Sequence, residues 1–411
     1  MSGEHSPDNT ASKPVSVATA REQLLASVAP RSVENERVAL SDAADRILGQ
    51  DVISSIAVPG WDNSAMDGYA VNTADLDASG ETRLPISQYI PAGTAPEPLK
   101  SGTAARIFTG APIPQNADAV VMQENCSVAG NEVSIQQNPP PGNNIRPAGE
   151  DIRQGESILP AGRRLRPQDI GLAASVGVAA VEVRKPLRVA LLTTGDELVA
   201  PGSSLGPGQI YDSNGPLLHA LLQRMGCCVM NPGRVADTRK ATTQALARAA
   251  NDADLIVTSG GVSVGEEDHV KAAIQELGSL DLWKIAVKPG KPLAFGRVNG
   301  TALVGLPGNP VSLFVTFLLF AAPVIRRKQG REWTFPEAVP TKAGFARPRP
   351  GGREEYLRVR MHDGRLEPFP KQGSGVLSSA AWADGLARIP ANTPVAEGDT
   401  LDYLSLGRLM E

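Results

Sequence analysis

Cysteine and histidine are scarce in this chain, and their scarcity removes several kinds of chemistry at once. The three cysteines, Cys126, Cys227 and Cys228, are odd in number and lack metal-ligand spacing, which argues against a disulfide framework or a thiolate zinc site and suits a reducing cytoplasm. The four histidines, His5, His219, His269 and His362, stand in no Ser or Cys elbow, so an acyl-enzyme mechanism is not expected. Neither charge sign is in excess. With 40 Lys and Arg against 44 Asp and Glu, the formal charge of −4 offers no global field for nucleic acid or an anionic membrane. Any anion site has to be local. A membrane-length apolar run is lacking too: the stretch from Val311 to Ile325 falls short of the ~20 residues of a spanning helix and contains Pro323, so a buried helix is expected. The opening MSGEHSPDNTASKP has neither the basic start nor the apolar run of a secretory signal and reads as a disordered tail.

What is present is length and turns. The 411 residues exceed the roughly 250 to 300 that one hydrophobic core serves, so several domains are expected. Forty-one Gly and 34 Pro point to many turns. After the tail (residues 1–14), Thr19 to Ala29 has helical spacing and Ser41 stands as an N-cap before AADRIL. From residue 51 to 151 the chain turns to short apolar runs broken by Gly, Pro and Asn, such as DAVVMQE and NEVSIQQ, the pattern of small β-sheets. Residues 152–185 hold a strand, a turn and a helix starting near Pro167. Together with 15–50 they form a mixed N-terminal domain into which the β-rich domain is inserted.

Residues 186–331 alternate strand and helix: RVALLTT, a helix over Pro216 to Met225, CCVM, a helix over Ala241 to Ala250, DLIVTS, a helix over His269 to Leu277, LVGL, and a helix from Pro310 to Ile325. This predicts a doubly wound α/β domain with a parallel sheet, whose ligands bind beyond the carboxyl ends of its strands. Residues 332–411 revert to short strands and make a small C-terminal β domain, with EEYLRVRMHDGRLEPF as a hairpin turning at Asp363 and Gly364.

Three loops directly follow predicted strands of the α/β domain: TTGDEL at Thr193 to Leu198, SGGVSVGEEDH at Ser259 to His269, and LPGNPVS at Leu306 to Ser312. Gly260, Gly261 and Gly265 let backbone approach a ligand, and their N–H groups with Ser259 and Ser263 can cradle a phosphate. No Lys-Ser/Thr follows the glycines and G-x-G-x-x-G is absent, so neither a P-loop nor a nicotinamide site is indicated. A plain strand-to-helix turn explains each loop alone; three at one sheet edge favour an anion site. The acids among and near them, Asp196, Glu197, Asp237, Glu266, Glu267 and Asp268, would repel a phosphate unless they held Mg²⁺. Taken singly, each reads as a solvated surface charge. In WKIAVKPGKPL, strand alternation puts Lys284 and Lys288 on one face with Lys291 just past the Pro289-Gly290 turn, which is either a solvated hairpin edge or a grip for a tetrahedral oxyanion. In the β-rich domain, DNSAMDGYAV (62–71), FTGAPIP around Thr109, and NNIRPAGEDI with Arg146, Glu150 and Asp151 read separately as capped turns and together as a binding surface for another domain or subunit.

The ordered set DNSAMDGYAV, RIFTGAPIP, NIRPAGEDI, TTGDEL, SGGVSVGEEDH, WKIAVKPGKP and LPGNPVS resembles the molybdopterin molybdenumtransferase family, MoeA in bacteria and the gephyrin E domain in animals. The resemblance implies a multidomain α/β plus β fold: a MogA-like doubly wound domain, an inserted β-rich domain, a mixed N-terminal domain and a small C-terminal β-barrel. It implies a cytoplasmic homodimer with its cleft between the α/β domain of one subunit and the β-rich domain of the other. Contacts with molybdopterin adenylyltransferase and molybdoenzyme maturation proteins are expected. The implied reaction takes adenylyl-molybdopterin and molybdate to molybdenum cofactor and AMP with Mg²⁺.

Position by position, the resemblance brings Asp62 and Thr109 in from the partner subunit and sets Glu197, Asp237 and Asp268 at the metal or adenylate phosphate. Lys284 and Lys288 count as catalytic. Molybdate falls to Lys288, Lys291 and Pro292, with Arg353 and Ser374 from RPRPGGREEY and KQGSGVLSS. Pro307, Gly308, Asn309 and Pro310 match the third ligand loop, and Arg146, Asp151, Thr194 and Gly195 join the substrate contacts. Two other readings remain. A molybdopterin adenylyltransferase shares the SGG-type loop but lacks DNSAMDGYAV and the extra β domains. A non-catalytic pterin-binding scaffold would release no AMP.

Overall fold

The computed structural model describes residues 14–29, 34–77, 80–230, 234–236, 238–260, 269–290 and 292–411. The tail expected over 1–14 therefore lies, but for Pro14, outside the described residues. The chain divides into two compact units, Arg37–Val183 and a second made of Arg184–Glu411 with the segment before Arg37.

In the second unit the central sheet is built from β1 (Arg188–Thr194), β2 (Cys228–Met230), β3 (Leu255–Ser259), β4 (Gly278–Lys284), β5 (Pro292–Val298) and β6 (Thr301–Leu306), in the order β2-β1-β3-β6-β5-β4, with Arg234–Val235 pairing beside β1. Strands β2, β1, β3 and β6 are parallel. Their side chains alternate between two cores, as a pleat with a period of two requires: Val189, Leu191, Leu255, Val257 and Val304 face one cluster, and Ala190, Leu192, Ile256 and Leu303 the other. Helices Arg239–Asp252 and His269–Leu277 cover one face; Asn214–Arg224 and the long helix after β6 cover the other. The parallel sheet expected from sequence thus forms, and β5 and β4 extend it antiparallel.

The apolar run resolves as Pro310–Thr316, a π-helical turn Phe317–Ala321, and Ala322–Lys328. This is long and apolar enough to cross a membrane, yet every residue from Val311 to Arg326 is buried. It is a core helix. One continuous core joins it to β1, β3 and β6, to Val17, Ala20 and Leu24 of the first helix, and to Tyr356, Leu386, Leu404, Leu406 and Leu409 near the C-terminus.

Two expectations need correction. The helix Val17–Ser27, capped by Ser16, packs not with residues 152–185, as expected from sequence, but in the core of the α/β domain, where Arg297 and Arg327 donate to the carbonyls of Ser27 and Val28. The helix proposed after Ser41 is a single 3₁₀ turn, Leu40–Asp42. Ile47 and Leu48 bridge to Arg164 and Val183, so the apolar residues of AADRIL serve as extended backbone.

The C-terminal strands Glu354–His362, Arg365–Pro368, Val339–Ala343, Thr400–Ser405 and Gly385–Ile389 pair in that order and close into a barrel through the pairing of the last with the first. The expected hairpin turns at Asp363 and Gly364, both with positive φ, the backbone a type I′ turn requires.

The Arg37–Val183 unit carries a six-stranded sheet ordered Ala119–Met122, Gly68–Val71, Ala104–Ile107, Thr82–Ile90, Glu132–Ile135, Cys126–Ala129. The long strand Thr82–Ile90 changes partner along its length, pairing Glu132–Ile135 up to Pro85 and Ala104–Ile107 from Ile86. Gly68 sits where backbone meets backbone: a Cβ there would stand 2.0 Å from the Val121 carbonyl oxygen. Two small pairings, Asn63–Ser64 with Ile145–Arg146 and Val52–Ile53 with Ser157–Leu159, complete the β-rich part, and the helix Pro167–Ser175 begins where expected.

Candidate functional site

At the carboxyl ends of β1, β3 and β6 the described parts of the three candidate loops meet. Ser259 ends β3, and the Gly260 amide donates to the Leu306 carbonyl at 3.1 Å. Gly260 has φ +82°; a Cβ there would lie 3.6 Å from the Thr194 carbonyl oxygen, and on the other side a Cβ on Gly308 would lie 4.0 Å from the Gly260 Cα. Asn214, first residue of the helix that follows YDS, closes the junction. Its buried Nδ2 donates to Ser259 Oγ at 2.9 Å and to the Gly308 carbonyl at 2.7 Å. Asp212 caps the same helix start, accepting from the Gly215 amide at 2.9 Å. Thr194, Gly195, Ser259, Gly260, Pro307 and Gly308 are thus brought together, with Asn309 and Pro310 opening the buried helix. Sequence reasoning missed Asn214. An Asn before Gly-Pro at a helix start looks like an ordinary cap, and its two partners lie 45 and 94 residues away.

Glu197 folds back over Gly195, where a Cβ would come within 2.7 Å of its carboxylate. That carboxylate is exposed and has no hydrogen-bond or ion-pair partner among the described residues. An uncompensated oxygen donor beside a candidate anion site has the chemistry of a hard-cation ligand. Asp237, Asp268, Gly261, Ser263, Gly265 and Lys291 lie outside the described residues, as do the side chains of Lys284 and Pro292. Among the described residues no group of three or more His, Cys, Asp or Glu side chains forms a metal cluster.

The lysine segment departs from expectation. Lys284 ends β4, the chain bridges from Ile285 to Val15, and Val287–Lys288 forms a separate short strand on Glu354–Glu355 of the barrel. Lys284 and Lys288 therefore do not share a strand face. Lys288 Nζ lies 2.9 Å from Glu355 Oε1, while Arg347 lies 2.7 Å from Oε2. Glu355 is 3% exposed, so two cations converge on one buried carboxylate. Arg353 donates to the Val287 carbonyl at 3.1 Å, and the Ser374 carbonyl accepts from the Val311 amide at 2.9 Å. The C-terminal domain thus touches both the lysine segment and the start of the ligand-loop helix. Its Gly373-Ser374 loop hangs on buried Arg358, which reaches Ser379 Oγ and the Tyr356 and Gly373 carbonyls, and whose pKa burial lowers to about 10. Glu355 escaped the sequence reading because it stands 67 residues from Lys288.

In the Arg37–Val183 unit the three motifs are laced by backbone. Ser64 donates to Ala111, Gly110 to Ser64, Ile113 to Asp62, and Ala65 to Asn144. The exposed side chains are tied back to that backbone: Asp62 Oδ1 accepts from the Ala148 amide at 2.7 Å, and Asp67 Oδ1 accepts from the Thr109 amide at 2.8 Å and its hydroxyl at 2.7 Å. Those two bonds from Thr109 hold the Asp67 carboxyl below its ordinary range. Arg146 pairs in a strand with Asn63, and Asp151 is exposed a few residues on. Asp62, Thr109 and Arg146 therefore share one loop cluster, with Asp67 as the anchor that sequence reasoning left out.

Comparison with known proteins accounts for both units. Residues 15–177 match the MoeA N-terminal region (domain I and II), 190–327 the family described as a probable molybdopterin binding domain, and 340–406 the MoeA C-terminal region (domain IV). The chain is 42% identical over 334 residues to a molybdopterin molybdenumtransferase of Haemophilus influenzae, covering 80% of this chain and 82% of that one. A molybdopterin molybdenumtransferase of Nostoc sp. is 38% identical over 390 residues, covering 91% and 89%. Among solved structures, a molybdopterin biosynthesis moeA protein from Pyrococcus horikoshii OT3 superposes with a TM-score of 0.83 at 27% identity, covering 95% of this chain and 99% of that one.

Proposed function

The chain belongs to the MoeA family of molybdopterin molybdenumtransferases, and from that membership and its joined ligand loops we propose that it inserts molybdenum in molybdenum cofactor biosynthesis, acting on adenylyl-molybdopterin and molybdate. The observation that carries this reading is the junction at the ends of β1, β3 and β6, where Asn214 ties the Ser259 hydroxyl to Gly308 and Gly260 passes close to Thr194, near Glu197, whose carboxylate has no partner among the described residues. Such a junction suits a phosphate-bearing ligand.

In the proposed reaction a molybdate oxygen attacks the adenylyl phosphorus and the bridging P–O bond breaks toward the pterin phosphate. That oxygen leaves with AMP as the dithiolene sulfurs take its place on molybdenum. The loops of the α/β domain bind and align the adenylate, which is the main contribution a protein makes to phosphoryl-type transfer. Lys284, Lys288 and Lys291, with Pro292, Arg353 and Ser374, gather the molybdate oxyanion. Lys288 does so from a preset position on Glu355. Glu197, Asp237 and Asp268 would hold Mg²⁺, which when bound offsets phosphate charge. Asp62, Thr109, Arg146 and Asp151 contact the substrate bound by a second copy of the chain, in a cytoplasmic homodimer.

Purified protein is expected to release AMP from adenylyl-molybdopterin only when molybdate is added. Asp268→Asn should abolish that release, and Lys288→Ala should raise the molybdate concentration needed. A folded protein that releases no AMP would overturn the proposal in favour of a binding scaffold.

A further inference from the structure

We infer that Asn214 is a positioning residue of the adenylate site, which clamps two ligand loops and, by donating to Ser259, turns the Ser259 hydroxyl hydrogen toward a phosphate oxygen of the ligand. This rests on the proposed reading of those loops as the binding site of adenylated pterin.

The orientation of the amide is chemically fixed. The Gly308 carbonyl can only accept, so the atom 2.7 Å from it has to be Nδ2, and the same Nδ2 then donates its other hydrogen to Ser259 Oγ at 2.9 Å. Ser259 Oγ is thereby an acceptor toward Asn214, and its own hydrogen is directed elsewhere. Among the described residues no acceptor takes that hydrogen, although the side chain is buried. Ser259 is the last residue of β3 and precedes Gly260, so its hydroxyl stands at the rim where the glycine loop begins. A buried hydroxyl whose acceptor side is occupied and whose hydrogen meets no acceptor among the described residues is a donor held ready for an anion.

A packing role alone does not explain the side chain. Asn214 Oδ1 is buried with no partner among the described residues, a cost that an apolar residue of the same shape would avoid. The two N–H bonds are what the site gains in return: they hold the end of β3 at Ser259 and the β6 loop at Gly308 in register, with Thr194 of β1 packed against Gly260. Asp212 accepts from the Gly215 amide, fixing the turn from which Asn214 projects.

The test uses the full chain and AMP as the probe, with affinities measured by titration calorimetry and folding checked by thermal melts. Asn214→Leu and Ser259→Ala are each expected to weaken AMP binding about tenfold. The double variant should lose about the same factor, well short of the roughly hundredfold that independent effects would multiply to. Unchanged affinity in Asn214→Leu, or a fully multiplicative double variant, overturns the inference. If Asn214→Leu does not fold, Ser259→Thr against Ser259→Ala decides: binding kept by Thr and lost by Ala is expected, and equal binding by Ala and wild type overturns it. Failure of the wild-type protein to bind AMP would instead count against the proposed function, so the two failures are distinguishable.

Discussion

The loops at the strand ends of the α/β domain are joined by one backbone bond, Gly260 to Leu306, and by one buried amide, whereas those of the Arg37–Val183 unit are laced by several backbone hydrogen bonds and carry their polar side chains in the open. A cluster whose side-chain links run through one residue depends on that residue. A cluster laced by backbone keeps its shape when a side chain is changed, so substitutions there test chemistry rather than architecture. The second cluster is sensitive only underneath, at the sheet that carries it.

Four substitutions can break or sharpen this contrast, beginning with the largest effect. Gly68→Ala forces a Cβ against the Val121 carbonyl and is expected to cost about 3 kcal/mol in urea denaturation. A loss below about 0.5 kcal/mol, the range of ordinary surface substitutions, would show that the sheet under the backbone-laced cluster yields easily.

Glu355→Ala strands Lys288 and Arg347. Because both cations are partly exposed, the expected loss is about 2 kcal/mol, below the range for a fully buried pair, and the molybdate requirement should rise. An unaltered molybdate requirement would detach Glu355 from the oxyanion site.

Thr109→Val removes one hydroxyl bond to Asp67 and should cost no more than about 1 kcal/mol while slowing AMP release. The same pair predicts a pH effect. The Asp67 carboxyl titrates below its ordinary value, so its contribution is present above the unfolded pKa of about 3.9 and is lost as pH falls through the folded value. Asp67→Asn should flatten acid unfolding in that window; an identical acid profile would separate Asp67 from the stability of the loop.

Much of the α/β domain is legible in the sequence because its strands are short apolar runs that end in Gly-containing loops. That pattern locates β1, β3 and β6 and, with them, the edge that carries the candidate site. The antiparallel β4 and β5 are harder to see, since lysines and a Pro-Gly turn interrupt their apolar pattern. Side-chain links across long separations leave no local trace: Lys288 to Glu355 and Asn214 to Gly308 join residues whose neighbours in sequence say nothing of each other. The segment AADRIL misled for another reason. Its spacing suits a helix, but pairing with Arg164 and Val183 satisfies its backbone in extended form, and tertiary context prevails over local propensity.

The shared core has a consequence for anyone who would cut this protein apart. Because Tyr356, Leu386, Leu404, Leu406 and Leu409 cover the same apolar interior as the helix from Pro310, the α/β domain is not a detachable cassette. A fragment ending before Val339 would bare the flank of a membrane-length apolar helix to water and leave the Val311 amide without its Ser374 acceptor. Such a fragment should aggregate, and shuffling among relatives should succeed only where the barrel travels with the domain it seals.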